Sequence, residues 1–251
     1  PLGLLALSAC GGAPPLRHPD HPLPDGEVTV GAGFSGTLPI SGEAIAEDDT
    51  SARVYEEGAF APGLAPWVSG RVALSAQDVS GPFRPRHSRA EGAGPLSTAR
   101  SIGAAARHAF VFGDQALSLG LGVSGLLPKN REDLGLRVGG FGFDVPFLYG
   151  WRSDADIYSL WLGPRGGAEY LTGRREVGAD PQEPDLLLVE KVQGWHAQVG
   201  GLLGMRVGFR HVFAVLELDA AMHFAGGTVG ETEVTLSQFN LAPAGAIIVK
   251  F

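Results

Sequence analysis

Gln193–Phe209 reads QGWHAQVGGLLGMRVGF, and its apolar residues return every second position. Trp195, Ala197, Val199, Leu203, Met205, Val207 and Phe209 share one phase, while His196, Gln198 and Arg206 hold the other. A period of two is the signature of a strand whose side chains alternate between faces. The length over which the phase holds is unusual for a soluble strand, and strands of ten or more residues match a tilted membrane crossing.

The same form recurs from Glu27 onward. Val28, Val30, Ala32, Phe34, Leu38 and Ile40 oppose Thr29, Gly31, Gly33, Ser35 and Thr37. Leu117, Leu119, Leu121 and Val123 oppose Ser118, Gly120, Gly122 and Ser124. Leu134, Leu136 and Val138 give way to Phe141, Phe143, Val145 and Phe147, and the change of frame at Gly139 and Gly140 predicts a β-bulge. Ala214, Leu216, Leu218, Ala220, Met222 and Phe224 oppose Phe213, Val215, Glu217, Asp219 and His223.

In a soluble sandwich the face opposite the core meets water and is rich in Lys, Glu, Thr and Ser. Here it carries Gly, Ala and Ser with isolated charges. Small residues suit the interior of a closed barrel, which leaves the apolar face to point outward into lipid. Aromatics near strand ends, Trp67, Phe112, Phe147, Tyr149, Trp151, Tyr170 and Phe209, suit interfacial girdles. A soluble lipocalin-like barrel is the competing architecture.

Connections alternate in character. Short ones are expected at Ala61–Pro66, Gly113–Asp114, Gly150–Asp154 and Arg210–His211. Long or charged ones are expected at Ser41–Thr50, Gln77–Pro95, Lys129–Asp133, Thr172–Pro184 and Ala225–Glu231. This predicts an all-β, closed, antiparallel up-and-down transmembrane barrel of about ten strands, within a range of eight to twelve. An even count puts both termini on one side, the periplasmic one.

Composition agrees: 38 Gly and 18% charged residues among 251 point to closely packed strands and turns. The net charge of −8 argues against nucleic acid as a partner. Residues 1–10, PLGLLALSAC, look like the end of a signal peptide, and Leu7, Ser8, Ala9 and Cys10 resemble the bacterial lipobox. That resemblance implies a lipidated Cys10. Residues 11–26 are rich in Pro and Gly and read as a flexible linker, with His18 and His21 solvated. Residues 27–251 form the barrel. The ending GAIIVKF, with Ile247, Val249 and Phe251 on one face, resembles the C-terminal assembly signal of bacterial outer-membrane proteins.

Taken together, the chain resembles the broad class of bacterial outer-membrane β-barrels. The resemblance implies Gram-negative envelope localisation, with the barrel assembly machinery, outer-membrane lipids and lipopolysaccharide as partners. Arg84, Arg86, His87 and Arg89 form a basic loop suited to the anionic groups of lipopolysaccharide.

The expected lumen carries Arg71, Arg107, Arg137, Arg165 and Arg206 against Asp144, Glu169, Glu217 and Asp219, with His196, Gln198 and His223. Near balance of sign predicts pairing across a narrow interior, since an unpaired charge there is costly. Some barrels of this size are lipid-modifying enzymes with Ser and His at the rim. The candidates here, His223 with Glu217 or Asp219 and His87 with Ser88, do not reproduce the deacylase pattern. The reading is a structural or surface-interaction barrel without enzyme activity, metal or cofactor. A narrow, porin-like pore for small or apolar solutes is the alternative, and a lipid-modifying enzyme the third.

Overall fold

The computed structural model describes residue 21 and residues 27–46, 63–74, 77–83, 100–127, 136–179 and 187–251. Side chains throughout 63–83 and at several strand ends, including Arg71 and Arg137, lie outside that description. Ten strands run in chain order. They are β1 (Val28–Ala46), β2 (Gly63–Leu74), β3 (Gln77–Phe83), β4 (Arg100–Phe112), β5 (Gln115–Leu127), β6 (Leu136–Arg152), β7 (Tyr158–Ala179), β8 (Leu187–Phe209), β9 (Val212–Val229) and β10 (Thr232–Lys250).

Each strand pairs antiparallel with its chain neighbours, and β1 also pairs with β10. Thr29 therefore stands opposite Arg71 on one side and Lys250 on the other, and the sheet closes into a barrel. Closure pairs the first strand with the last, so neither is left as the free edge of an open sheet.

Alternation decides which side of the wall each residue sees. On β9, Val212, Leu216, Leu218, Met222 and Phe224 are exposed outward, while Phe213, Val215, Glu217, Ala221 and Ala225 are buried inward. The contrast holds around the described wall: Phe141 is 66% exposed and Leu216 60%, whereas Leu148 and Trp161 inside are 0%. The large apolar side chains thus cover the outside, the reverse of a water-soluble barrel. Two aromatic rows mark that outer face. Phe112, Trp151, Tyr158 and Phe209 stand near the end holding the short turns, and Phe141, Tyr170 and Trp195 are neighbours in the ladder toward the other end. From Phe141 to Trp151 the usual strand rise and tilt give about 25 Å of height, the thickness of an outer-membrane apolar band.

Trp195 lies across Gly226, its ladder partner on β9; a Cβ there would come within 2.8 Å of the indole nitrogen. The glycine is what lets the indole lie flat on the wall.

The turns at Gly113–Asp114, Ser153–Ile157 and Arg210–His211 share one end of the barrel with Val28 and Phe251. Phe251 donates its N–H to the Val28 carbonyl at 2.9 Å, which ties the last residue to the first strand. Ile247 and Phe251 point outward, as their shared phase predicts.

Several expected boundaries are corrected. Residues 63–66 of the expected Ala61–Pro66 turn belong to β2, and Gln77–Phe83, expected in a loop, is β3. Gly150–Arg152 ends β6, so that turn starts at Ser153. Thr172–Ala179 continues β7, and residues 41–46 continue β1. The long connection expected at Ala225–Glu231 is a two-residue turn, Gly230–Glu231. Glycine and proline read as chain breaks, yet in a closed barrel glycine serves close packing within strands. The bulge expected at Gly139–Gly140 is absent: β6 keeps one register with β7 from Leu136 to Pro146. Register shifts occur instead at Pro39/Ser41 and Glu176/Gly178. Lys129–Asp133 lies outside the described residues.

Candidate functional site

The inward residues of β6 to β10 form successive layers along the lumen. The layer near the short turns is apolar. Leu148, Trp161, Leu202, Phe213, Val215, Ala246 and Ile248 form one buried cluster. Trp161 lies over Gly204, its partner on β8, where a Cβ would lie 2.2 Å from the indole nitrogen. That nitrogen donates to Glu217 Oε1 at 3.1 Å, so a buried carboxylate and a buried indole satisfy each other.

Below this cluster, at the rim, Arg206 binds Asp156 in the β6–β7 turn and lies over the Phe213 ring at 4.2 Å. Lys250 pairs with Glu27 at 2.9 Å and with Asp156 at 3.7 Å. The start of β1, the end of β10 and one turn are thereby joined by charge.

Above the apolar cluster lies a charged layer. Arg165 on β7 is buried and grips Asp144 on β6 with Nε at 2.8 Å and Nη2 at 3.0 Å, while Nη1 reaches Asp219 on β9 at 3.3 Å. A two-pronged contact with a carboxylate is the strongest pairing an arginine makes, and burial makes it obligatory. Next comes an imidazole pair. His196 Nε2 and His223 Nδ1 lie 2.9 Å apart, and the rings, 16° from parallel with centroids 5.1 Å apart, meet nitrogen to nitrogen. Glu169 Oε2 stands 3.8 Å from His196 Nδ1. The tautomer with its proton on that Nδ1 faces the carboxylate and leaves Nε2 to accept from His223. Gln238, opposite His223 in the register, is buried and donates to Asn240. Leu171, Val192, Ala225 and Leu236 are buried beyond it.

Of the expected lumen residues, Asp144, Arg165 and Asp219 come together, as do Glu169, His196 and His223. Arg107 is buried on β4. Arg206 and Glu217 pair with Asp156 and Trp161, residues that alternation alone did not single out. The acids considered as partners of His223 are engaged elsewhere, Glu217 with Trp161 and Asp219 with Arg165. Arg137 shares its ladder row with Arg174 rather than with the charged layer, because the β6 register is unbroken. The side chain of Arg71, and Cys10, Arg84, Arg86, His87, Ser88 and Arg89 as a whole, lie outside the description. His21, expected solvated, is 0% exposed; chain length keeps it within about 20 Å of Glu27. Among the described residues no three His, Cys, Asp or Glu side chains converge as a metal site.

No protein-family model matches the chain, and no curated protein does. Among solved structures it is similar to the outer membrane protein OprG from Pseudomonas aeruginosa, at 11% identity, covering 92% of this chain and 98% of that one, with a TM-score of 0.42. An outer membrane channel from Pseudomonas putida F1 is similar at 11% identity, 96% and 100% coverage, and a TM-score of 0.41. The toluene transporter TodX of P. putida is similar at 9% identity, 91% coverage of each chain, and a TM-score of 0.30. At such identities and TM-scores nothing about ligand or activity carries over.

Proposed function

We propose that the chain is a bacterial outer-membrane β-barrel with a structural or surface-interaction role, sealed along its axis by its own side chains, and that it is not an enzyme. The observation that carries this reading is the inversion of polarity across the wall: large apolar residues are exposed outward while Trp161, Arg165, His196 and Phe213 are buried inward. Exposed apolar surface on this scale needs lipid or a partner to cover it. The end of the barrel that holds the turns at Gly113–Asp114, Ser153–Ile157 and Arg210–His211, together with Val28 and Phe251, then faces the periplasm, and lipids, lipopolysaccharide and the assembly machinery are the partners of such a protein. A lipid on Cys10 would add a second anchor, and mass spectrometry of the membrane-extracted chain tests it.

The full chain should require detergent and change gel mobility on boiling. In planar bilayers it should leave the membrane sealed; stepwise conductance would favour a narrow pore for small or apolar solutes. That second reading draws on Asp144 and Glu169, whose side chains are 25% and 26% exposed within the lumen. Unchanged lipid A after expression in a clean host would support the absence of lipid-modifying activity.

A further inference from the structure

The histidine pair in the lumen has a neighbour whose hydrogen bonding is incomplete. Gln238 on β10 is the ladder partner of His223, and it is 2% exposed. Its side-chain nitrogen donates to Asn240, while its side-chain oxygen is buried with no hydrogen-bond partner among the described residues. A buried amide oxygen without a donor is costly, so a positive group facing it would be favoured. Alternation puts Gln198, His223 and Gln238 in one inward row across β8, β9 and β10, with His196 two residues from Gln198 on the same face of β8.

The pair itself is close to the bite of a metal ion. Two nitrogens bound to one tetrahedral zinc ion stand roughly 3.3 Å apart, and His196 Nε2 and His223 Nδ1 stand 2.9 Å apart. The rings would part slightly and tilt until both lone pairs converge, and His223, partly exposed to the lumen, has room to do so. Its proton passes from Nδ1 to Nε2, so none is lost and both facing nitrogens become ligands. On the far side of His196, Glu169 Oε2 stands 3.8 Å from Nδ1, the place of a carboxylate that orients a ligating imidazole. Charge favours a dication as well. Among the described residues of these layers, two arginines, Arg107 and Arg165, face four carboxylates, Asp144, Glu169, Glu217 and Asp219. Imidazole nitrogen selects zinc, copper or nickel over calcium and magnesium.

We propose that His196 Nε2 and His223 Nδ1, with Gln238 Oε1 as the third protein ligand, bind a divalent transition ion of the zinc class inside the lumen, and that Glu169 positions His196 for it. An amide oxygen stands in for a third His or carboxylate, and the fourth position falls to water. The ion ties β8, β9 and β10 together from within, and the site depends on their register rather than on the role the barrel plays in a membrane.

The test uses the full chain in detergent micelles, stripped with a chelator, scored for the boiling-dependent mobility shift and titrated calorimetrically with Zn2+. The parent chain should take up an ion that the combined His196→Gln and His223→Gln variant does not, and Co2+ in its place should show the intense visible bands of a tetrahedral site. Glu169→Gln should keep the shift and bind about tenfold more weakly. Gln238→Leu should weaken binding by a smaller factor, and His211→Gln, at the rim of the short turns, should bind like the parent. No uptake of Zn2+ by the parent overturns the proposal. So does undiminished uptake by the double variant, which would put the ion on histidines elsewhere in the chain, and so does equal affinity for Mg2+. Where the double variant loses the mobility shift, the single variants decide: unchanged affinity in both Glu169→Gln and Gln238→Leu overturns the site. A parent chain that is soluble without detergent yet binds Zn2+ as expected supports this site and overturns the outer-membrane reading alone.

Discussion

Two layers of the lumen, adjacent in height, are closed by different physics. Around Trp161 the interior is packed by shape: an indole lies over Gly204 within a buried cluster of apolar side chains from β6 to β10. Around Arg165 it is filled by charge, one guanidinium holding two carboxylates from strands on either side. Shape filling gains from burial itself and fails in proportion to the volume removed. Charge filling begins with a desolvation cost, so it tolerates removal of the whole set better than loss of one member. The same wall therefore holds one layer sensitive to size and one sensitive to balance.

The largest effect should come from Trp161→Ala, which opens the apolar layer and deprives Glu217 of a donor. A loss of about 4 kcal/mol in denaturant unfolding from micelles is expected, and a loss below 1 kcal/mol would mean that the layer does not fill the barrel by packing. Arg165→Leu should cost about 3 kcal/mol because Asp144 and Asp219 are left unpaired. Replacing Asp144 and Asp219 by Asn in the same chain should recover most of it; no recovery would show that the arginine acts through packing, and the contrast between layers would collapse. Gly204→Ala should cost roughly 1–3 kcal/mol from the clash with the indole, and much less in a Trp161→Leu background. A cost unchanged in that background would place the strain elsewhere. The smallest expected effect is His223→Ala, about 1 kcal/mol for one neutral hydrogen bond and its packing; urea midpoints for parent and variant in the same detergent measure it.

These layers were unequally legible in the sequence. The wall was readable wherever one phase ran long, as on β8 and β9, because each outward residue repeats the same demand for an apolar surface. The turn at Arg210–His211 stood out for the same reason: phase stopped on both sides of it. Misreadings cluster where glycine or proline lies inside a strand, at Pro66 and at Gly226–Gly227, since local rules treat both residues as breaks. Nothing local tells Gly226 from a turn glycine; Trp195, its cross-strand partner on β8, explains it. The charged layer was legible as a list of inward residues but not as pairs. Arg165 meets Asp219 and Trp161 meets Glu217 only after β7, β8 and β9 are in register, and Asp156 lies in a turn that alternation does not read.

The pairing of β1 with β10 has a consequence for time rather than for stability. Val28 cannot find Phe251 until the whole described chain has been made, so the contacts that close the ring are also the most distant in sequence. Until then the growing sheet carries two unpaired edges and a bare apolar flank, a species prone to join its own copies. The chain's most hazardous moment is thus the interval between synthesis and ring closure. A carrier that covers those edges for that interval would shape its fate more than any contact in the finished barrel.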